Sequence, residues 1–188
     1  PRSRGLGDVY KRQHLSNKEI RQALKDYPYH NIKQVGKTGA GSQLACYSKF
    51  PILSARMLDY RSNYNGSMVY EIKIGKDTVL LINNHLESNK LTREDKVVYE
   101  DMLKDPKAGK VKSGVRQLVN KLAEASAIRS AQARTIAQEI AHSPYPSVIV
   151  CGDFNDSPIS YAHRVISQDM DDAFTESGCG LGISYNQN

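Results

Sequence analysis

Read for its apolar spacing, the chain breaks into strand-length runs interrupted by one long helical stretch. Ile20, Ala23 and Leu24 recur at helical spacing behind Ser16-Asn17-Lys18-Glu19. That order is a capping box, in which the serine accepts from the Glu19 amide and the glutamate reaches back. Tyr27-Pro28 stops this helix, because the residue before proline is pushed out of the helical region. Ile32–Val35 and Gln43–Tyr47 read as strands joined by the glycine-rich Gly36–Ser42. Phe50-Pro51-Ile52 is a chain reversal or the start of an edge strand, since proline has no ladder donor. Met68, Tyr70, Ile72 and Ile74 alternate with polar residues, and Thr78–Asn84 is almost continuously apolar. With the turn Gly75-Lys76-Asp77 between them, the two runs predict a β-hairpin.

Asn89–Lys112 is densely charged and reads as surface helix and loop. A helical period follows through Val115, Leu118, Val119, Leu122, Ile128, Ala131, Ile136 and Ile140, and Ser143–Pro146 ends it. Ser147–Cys151 predicts a short strand buried on both faces or nearly so, with the turn-rich Gly152–Pro158 at its C-terminal end. Ile159–Ser167 reads as a helix, Asp171–Phe174 is undecided, Gly178–Gly182 is a loop, and Ser184-Tyr185 opens a further strand. Hairpins, a helical excursion and a buried strand in this order imply an α/β (α+β) fold. The expectation is a layered sandwich of two mixed β-sheets flanked by helices, incomplete at both ends, not a regular doubly wound sheet.

At 188 residues the chain is one domain in size. With 39% hydrophobic and 24% charged residues it falls in the range of folded chains, which excludes disorder. The longest apolar runs, Val79–Ile82 and Val148–Cys151, fall far short of the roughly 18 residues a membrane helix needs. The compartment stays open, because a signal or membrane anchor can precede the first residue. Cys46, Cys151 and Cys179 show no paired spacing, which argues against zinc or a disulfide framework. Half of the formal net charge of +6 comes from Arg2, Arg4, Lys11 and Arg12 against Asp8. All five lie in Pro1–Gln13 (PRSRGLGDVYKRQ), which has no helix or strand period and resembles translated adapter sequence. Residues 1–13 are therefore set aside as a non-native segment, and residues 14–188 are read as a partial, mildly basic domain.

Two places put polar groups where packing alone would not ask for them. Asn84-His85-Leu86-Glu87 ends one buried strand, and Gly152-Asp153-Phe154-Asn155 ends another. Strand ends deliver side chains into shared crevices. Phosphoester cleavage needs a hard cation on oxygen ligands, an activated water, and donors for charge developing on phosphate. Asp153 can hold a cation or water, the Asn155 amide can donate to a phosphoryl oxygen from an extended loop, and His85 can bind the same phosphate. The plainer readings are a turn in which Asp153 and Asn155 satisfy backbone amides, a structural His85, and a Glu87 that is solvated or hydrogen-bonded locally. The lysines and arginines of Lys90–Lys112 read as a solvated face, and Gly178–Gly182 lacks the residues of a phosphate loop.

Ser147–Pro158 (SVIVCGDFNDSP) resembles the apolar-strand-plus-GDFN signature of the endonuclease/exonuclease/phosphatase superfamily. That superfamily includes pancreatic-type deoxyribonucleases, abasic-site endonucleases, neutral sphingomyelinases and inositol polyphosphate phosphatases. Thr78–Leu86 (TVLLINNHL) is similar to its strand ending in His-Leu, and Ser42–Ile52 (SQLACYSKFPI) to an earlier strand. The helix with Arg129, Gln132 and Ala133 stands where the family has one before GDFN, and Phe174–Tyr185 resembles its glycine-rich approach to a final strand. The resemblance implies a metal-dependent phosphoesterase or nuclease-like hydrolase using Mg²⁺, or Mn²⁺ in its place. Asp153 would orient or activate the attacking water, Asn155 would contact the scissile phosphate or a second metal, and His85 would bind phosphate and stabilise the pentavalent state. Asp153 and Asn155 are thus second-site metal candidates. The family's metal-binding Glu and its closing Asp-His pair have no counterpart, and neither His142 nor His163 replaces them, so this chain by itself is expected to be impaired. The implied partner is a phosphorylated small molecule, a lipid head group or a nucleic acid. The absence of Trp weighs slightly against a dedicated nucleic-acid enzyme. No obligate protein partner is evident, which reads as a monomer. The alternatives are a calcineurin-like two-metal phosphoesterase, whose Asp-x-His is missing, and a degenerate non-catalytic binding module.

Overall fold

The computed structural model describes residues 7–8, 17–35, 43–60, 62, 64–95, 97–98 and 111–178. In chain order the elements are β1 (Gly7–Asp8), α1 (Asn17–Ala23), β2 (Tyr29–Gln34), β3 (Gln43–Ser48), β4 (Ile52–Met57), β5 (Gly66–Ile74), β6 (Asp77–His85), α2 (Val111–Ala141), β7 (Ser147–Asp153), α3 (Tyr161–Ile166) and α4 (Ala173–Ser177). They assemble into a three-stranded sheet in the order β1-β3-β2 and a four-stranded sheet in the order β4-β5-β6-β7. The smaller sheet is antiparallel; in the larger one β4, β5 and β6 are antiparallel and β7 joins β6 in parallel. This is the layered sandwich that the order of elements predicts. The Gly36–Ser42 connection, Gly178–Gly182 beyond its first residue, Ser184-Tyr185 and residues 96 and 99–110 lie outside the described residues; residues 93–95 and 97–98 of the charged stretch are helical, as expected.

Alternation on β5 and β6 sorts the core into two layers. Met68, Tyr70, Ile72 and Leu81 face the small sheet and pack with Val35, Leu44 and Cys46. Val69, Leu80 and Ile82 face the other way, onto Ala133 and Ile136 of α2 and Ala162 and Ile166 of α3. A strand buried on both faces must be apolar at consecutive positions, which is why Val79–Ile82 is an unbroken run. Each such side chain contributes about 1.5–3 kcal/mol on burial. Phe50-Pro51-Ile52 proves to be the entry to β4, an edge strand among the described residues. β7 is the opposite edge among the described residues, so Ser147–Cys151 is half-buried, with Ile149 39% exposed, and not sealed on both faces as expected.

The long helix corrects the expected buried face. Leu118 and Ile136 are buried, but Val119 is 55% exposed and Ala131 lies outward. The buried line runs instead through Leu118, Ala125, Arg129, Gln132, Ala133 and Ile136. Two of its members are polar because the strand-end loops beneath them present backbone groups that need partners.

Candidate functional site

The site begins with the parallel pairing of β6 and β7. A parallel ladder brings both C-terminal ends to one edge of the sheet, and the register sets Asn84 opposite Gly152 and His85 opposite Asp153. Counting by twos along β6 from Leu81, Asn83 and His85 share the face toward the small sheet, and Cys151 of β7 packs with the same layer. Asn83 Nδ2 donates to Ala45 O of β3 at 3.4 Å across that layer. His85 is only 3% exposed, whereas Asp153 and Asn155 are half-buried, so the imidazole lies deeper than the carboxylate and amide.

Gly152 makes the strand exit possible. Its φ of +126° is one L side chains rarely adopt, and a Cβ there would stand 2.0 Å from Asn84 O. Beyond it the chain does not stay extended, as expected, but folds back. Asn155 N donates to Asp153 Oδ1 at 2.9 Å, and Asn155 takes a left-handed φ of +51° that asparagine tolerates. Its Nδ2 donates to Leu86 O at 2.8 Å. An amide nitrogen carries two hydrogens, and this bond uses one of them. Asp153 thus satisfies a backbone amide as the turn reading expects, whereas Asn155 meets a carbonyl instead and is held against the end of β6. Leu86 N donates in return to Asp153 O at 2.9 Å, and Asn65 Nδ2 gives Leu86 O a second donor at 3.0 Å.

A buried polar chain lies under this junction. Ser67 Oγ donates to Asn84 Oδ1 at 2.6 Å, and Asn84 Nδ2 donates to Cys151 O at 3.1 Å, tying β5, β6 and β7 together. The Tyr60 hydroxyl is 2.6 Å from Ser67 Oγ, and burial pushes its pKa up, the bond to Ser67 only partly offsetting that.

Glu87 proves to be the local hydrogen-bond partner, and it is 2% exposed. Its carboxylate accepts from Ser62 Oγ at 2.8 Å and pairs with Lys90 Nζ at 2.6 Å, and that bond raises the Lys90 pKa. Its backbone is held from α2: Gln132 Oε1 accepts from Glu87 N, and Arg129 donates to Glu87 O, both at 2.9 Å. Sequence reasoning placed Arg129 and Gln132 in the right helix without assigning them a contact. The available signal was two polar residues three positions apart on the face that also carries Leu118 and Ile136. Ser62 and Asn65 gave no signal, because they act from the connection between β4 and β5. Of the two histidines set aside, His142 contacts Gln138 O through Nδ1, and His163 does meet an aspartate, Asp172, at 3.1 Å. That pair joins α3 to α4 and lies on no strand end.

The oxygen atoms of Asp153 and Asn155 are of the kind hard cations prefer. Among the described residues no three His, Cys, Asp or Glu side chains gather into a metal-binding group. Asp153 and Asn155 therefore form part of a ligand set at most within that region.

The model of the Endonuclease/Exonuclease/phosphatase family matches residues 10–186. No curated protein sequence matches the chain. Among solved structures, sphingomyelinase C from Streptomyces griseocarneus is 18% identical, with a TM-score of 0.52 over 81% of this chain and 51% of its own. A beta toxin variant from Staphylococcus aureus with bound magnesium ions is 16% identical, with a TM-score of 0.53 and the same coverage. SmcL is 13% identical, with a TM-score of 0.50 over 79% of this chain and 49% of its own. The chain thus spans about half the length of these structures, and at such identities they establish the fold. With the family match running over nearly all of its length, the chain belongs to the endonuclease/exonuclease/phosphatase family.

Proposed function

We propose that the protein containing this chain hydrolyses a phosphodiester with an activated water and Mg²⁺. The observation that carries this reading is the register of β6 on β7, which sets His85 beside Asp153 at one sheet edge while Asn155 bonds back to Leu86. In this reading Asp153 orients the attacking water, Asn155 steadies the phosphoryl group from the rim, and His85 supports the developing charge from below. Bound Mg²⁺ would be held in part by Asp153 and Asn155 and would supply Lewis-acid stabilisation. Mg²⁺ is the cation to try first because one of the fold relatives carries magnesium ions. Another relative is by name a sphingomyelinase, which favours a lipid head group as the alcohol side of the ester.

The test is hydrolysis of bis-p-nitrophenyl phosphate and of sphingomyelin vesicles by the complete natural protein, with Mg²⁺ and after chelation. Asp153→Asn and His85→Ala are each expected to cut kcat by about 10²–10⁴ while the fold is retained. Full activity in either folded variant, or in excess chelator, would overturn the reading.

A further inference from the structure

We propose that Arg129 is a positioning residue of this site. Its guanidinium fixes the distance between the end of β6 and the loop after β7, and so sets turnover without touching the phosphoryl group. The inference rests on the phosphoesterase reading above. Arg129 is 4% exposed, and its acceptors belong to the two loops in question. Nη1 donates to Glu87 O at 2.9 Å and to Asn89 Oδ1 at 2.7 Å, and Nε donates to Asp156 Oδ2 at 2.9 Å. Glu87 stands two residues beyond His85, and Asp156 directly follows Asn155. Gln132, one turn along α2, holds Glu87 N, so both polar groups of that residue's backbone are fastened to the same helix. Asp156 Oδ1 also accepts from Ser157 N at 3.0 Å, which fixes the carboxylate for the arginine. A buried cation of this kind is tolerable only with its partners in place. A forked guanidinium reaches several acceptors at set angles, which the single ammonium of lysine cannot reproduce.

The experiment compares the complete natural protein with Arg129→Lys, Asp156→Asn and the double variant. It measures kcat and KM on bis-p-nitrophenyl phosphate with Mg²⁺, and amide hydrogen exchange by NMR. The expectation for Arg129→Lys is a fall in kcat of about 10–100-fold with KM held within about twofold, the cost of a displacement near 1 Å. The double variant should be no worse than Arg129→Lys alone, because the pair acts as a unit. Exchange at Leu86, Glu87 and Asn155 should quicken by about tenfold or more, while Tyr70 and Ile82 in the sheet stay protected. An active parent with an unchanged kcat in Arg129→Lys, a loss carried by KM, or unaltered exchange at those three amides would overturn the inference and leave the phosphoesterase reading standing. An inactive parent would overturn that reading and this role with it.

Discussion

Replacing Gly152 with alanine should be far more damaging than the same change at Gly75, although both glycines have positive φ. At Gly75 φ is +60°, and an added Cβ meets nothing within 4 Å. The cost there is the backbone preference alone, about 1 kcal/mol. At Gly152 φ is +126°, and the Cβ would stand 2.0 Å from Asn84 O and 2.6 Å from Asn84 N. The dihedral strain costs about 1–3 kcal/mol. Relieving the overlap requires β6 and β7 to part by about 1 Å, which adds about 1–3 kcal/mol of overpacking and about 1 kcal/mol for each weakened ladder bond. The sum, about 3–7 kcal/mol with one ladder bond weakened, is a large share of the about 5–15 kcal/mol by which domains are stable. With a urea slope of about 1–3 kcal/mol/M, the Gly152→Ala midpoint should drop by about 1 M or more, and at the same slope that of Gly75→Ala by only about a third of that or less. Equilibrium urea unfolding followed by far-UV circular dichroism reads both. Equal shifts for the two variants would refute the claim that close approach of the β6 backbone, and not φ alone, demands glycine at 152.

Asn84→Ala should cost about 1–3 kcal/mol in the same assay, because it removes two buried bonds, the one accepted from Ser67 Oγ and the one donated to Cys151 O. A loss under about 0.5 kcal/mol would show that the polar chain under the site adds nothing to stability. Alkaline pH should also destabilise the fold. Burial pushes the Cys46 thiol from 9.0 up to about 12 and raises the phenols of Tyr60 and Tyr70 as well. The unfolded chain then releases these protons before the folded one does, so their contribution is complete below pH 9 and fades as pH climbs toward 12. Urea midpoints at pH 8, 9, 10 and 11 check this, and a flat series would contradict it.

The parts of the fold that the sequence reveals are those whose signal is local. Met68–Ile74, the Gly75 turn and Thr78–Asn84 carry their own alternation and punctuation, and they form the expected hairpin. The adjacency of His85 and Asp153 follows once both strands are known to end in polar residues and to run parallel. What local pattern cannot give is the partner of a buried polar group. Apolar spacing assigned Val119 and Ala131 to the core, yet the helix turns Arg129 and Gln132 inward because the Glu87 backbone waits there. Asn155 likewise reads as a donor aimed outward until the chain is seen to fold back onto Leu86. The same ambiguity made Glu87 either solvated or paired, and only the arrival of Ser62 from another connection decides it.

The bond from Asn155 to Leu86 joins positions 69 apart in the chain, and that from Asn84 to Cys151 spans 67. Such closures have no short-range version: no excised peptide or lone hairpin can carry a rudiment of the rim. Their entropic toll falls on the nascent chain before any reward arrives, which slows refolding in proportion to how non-local the contacts are. Recovery of the rim after denaturant dilution must therefore await docking of the long crossover helix, well after the β5–β6 ribbon has zipped.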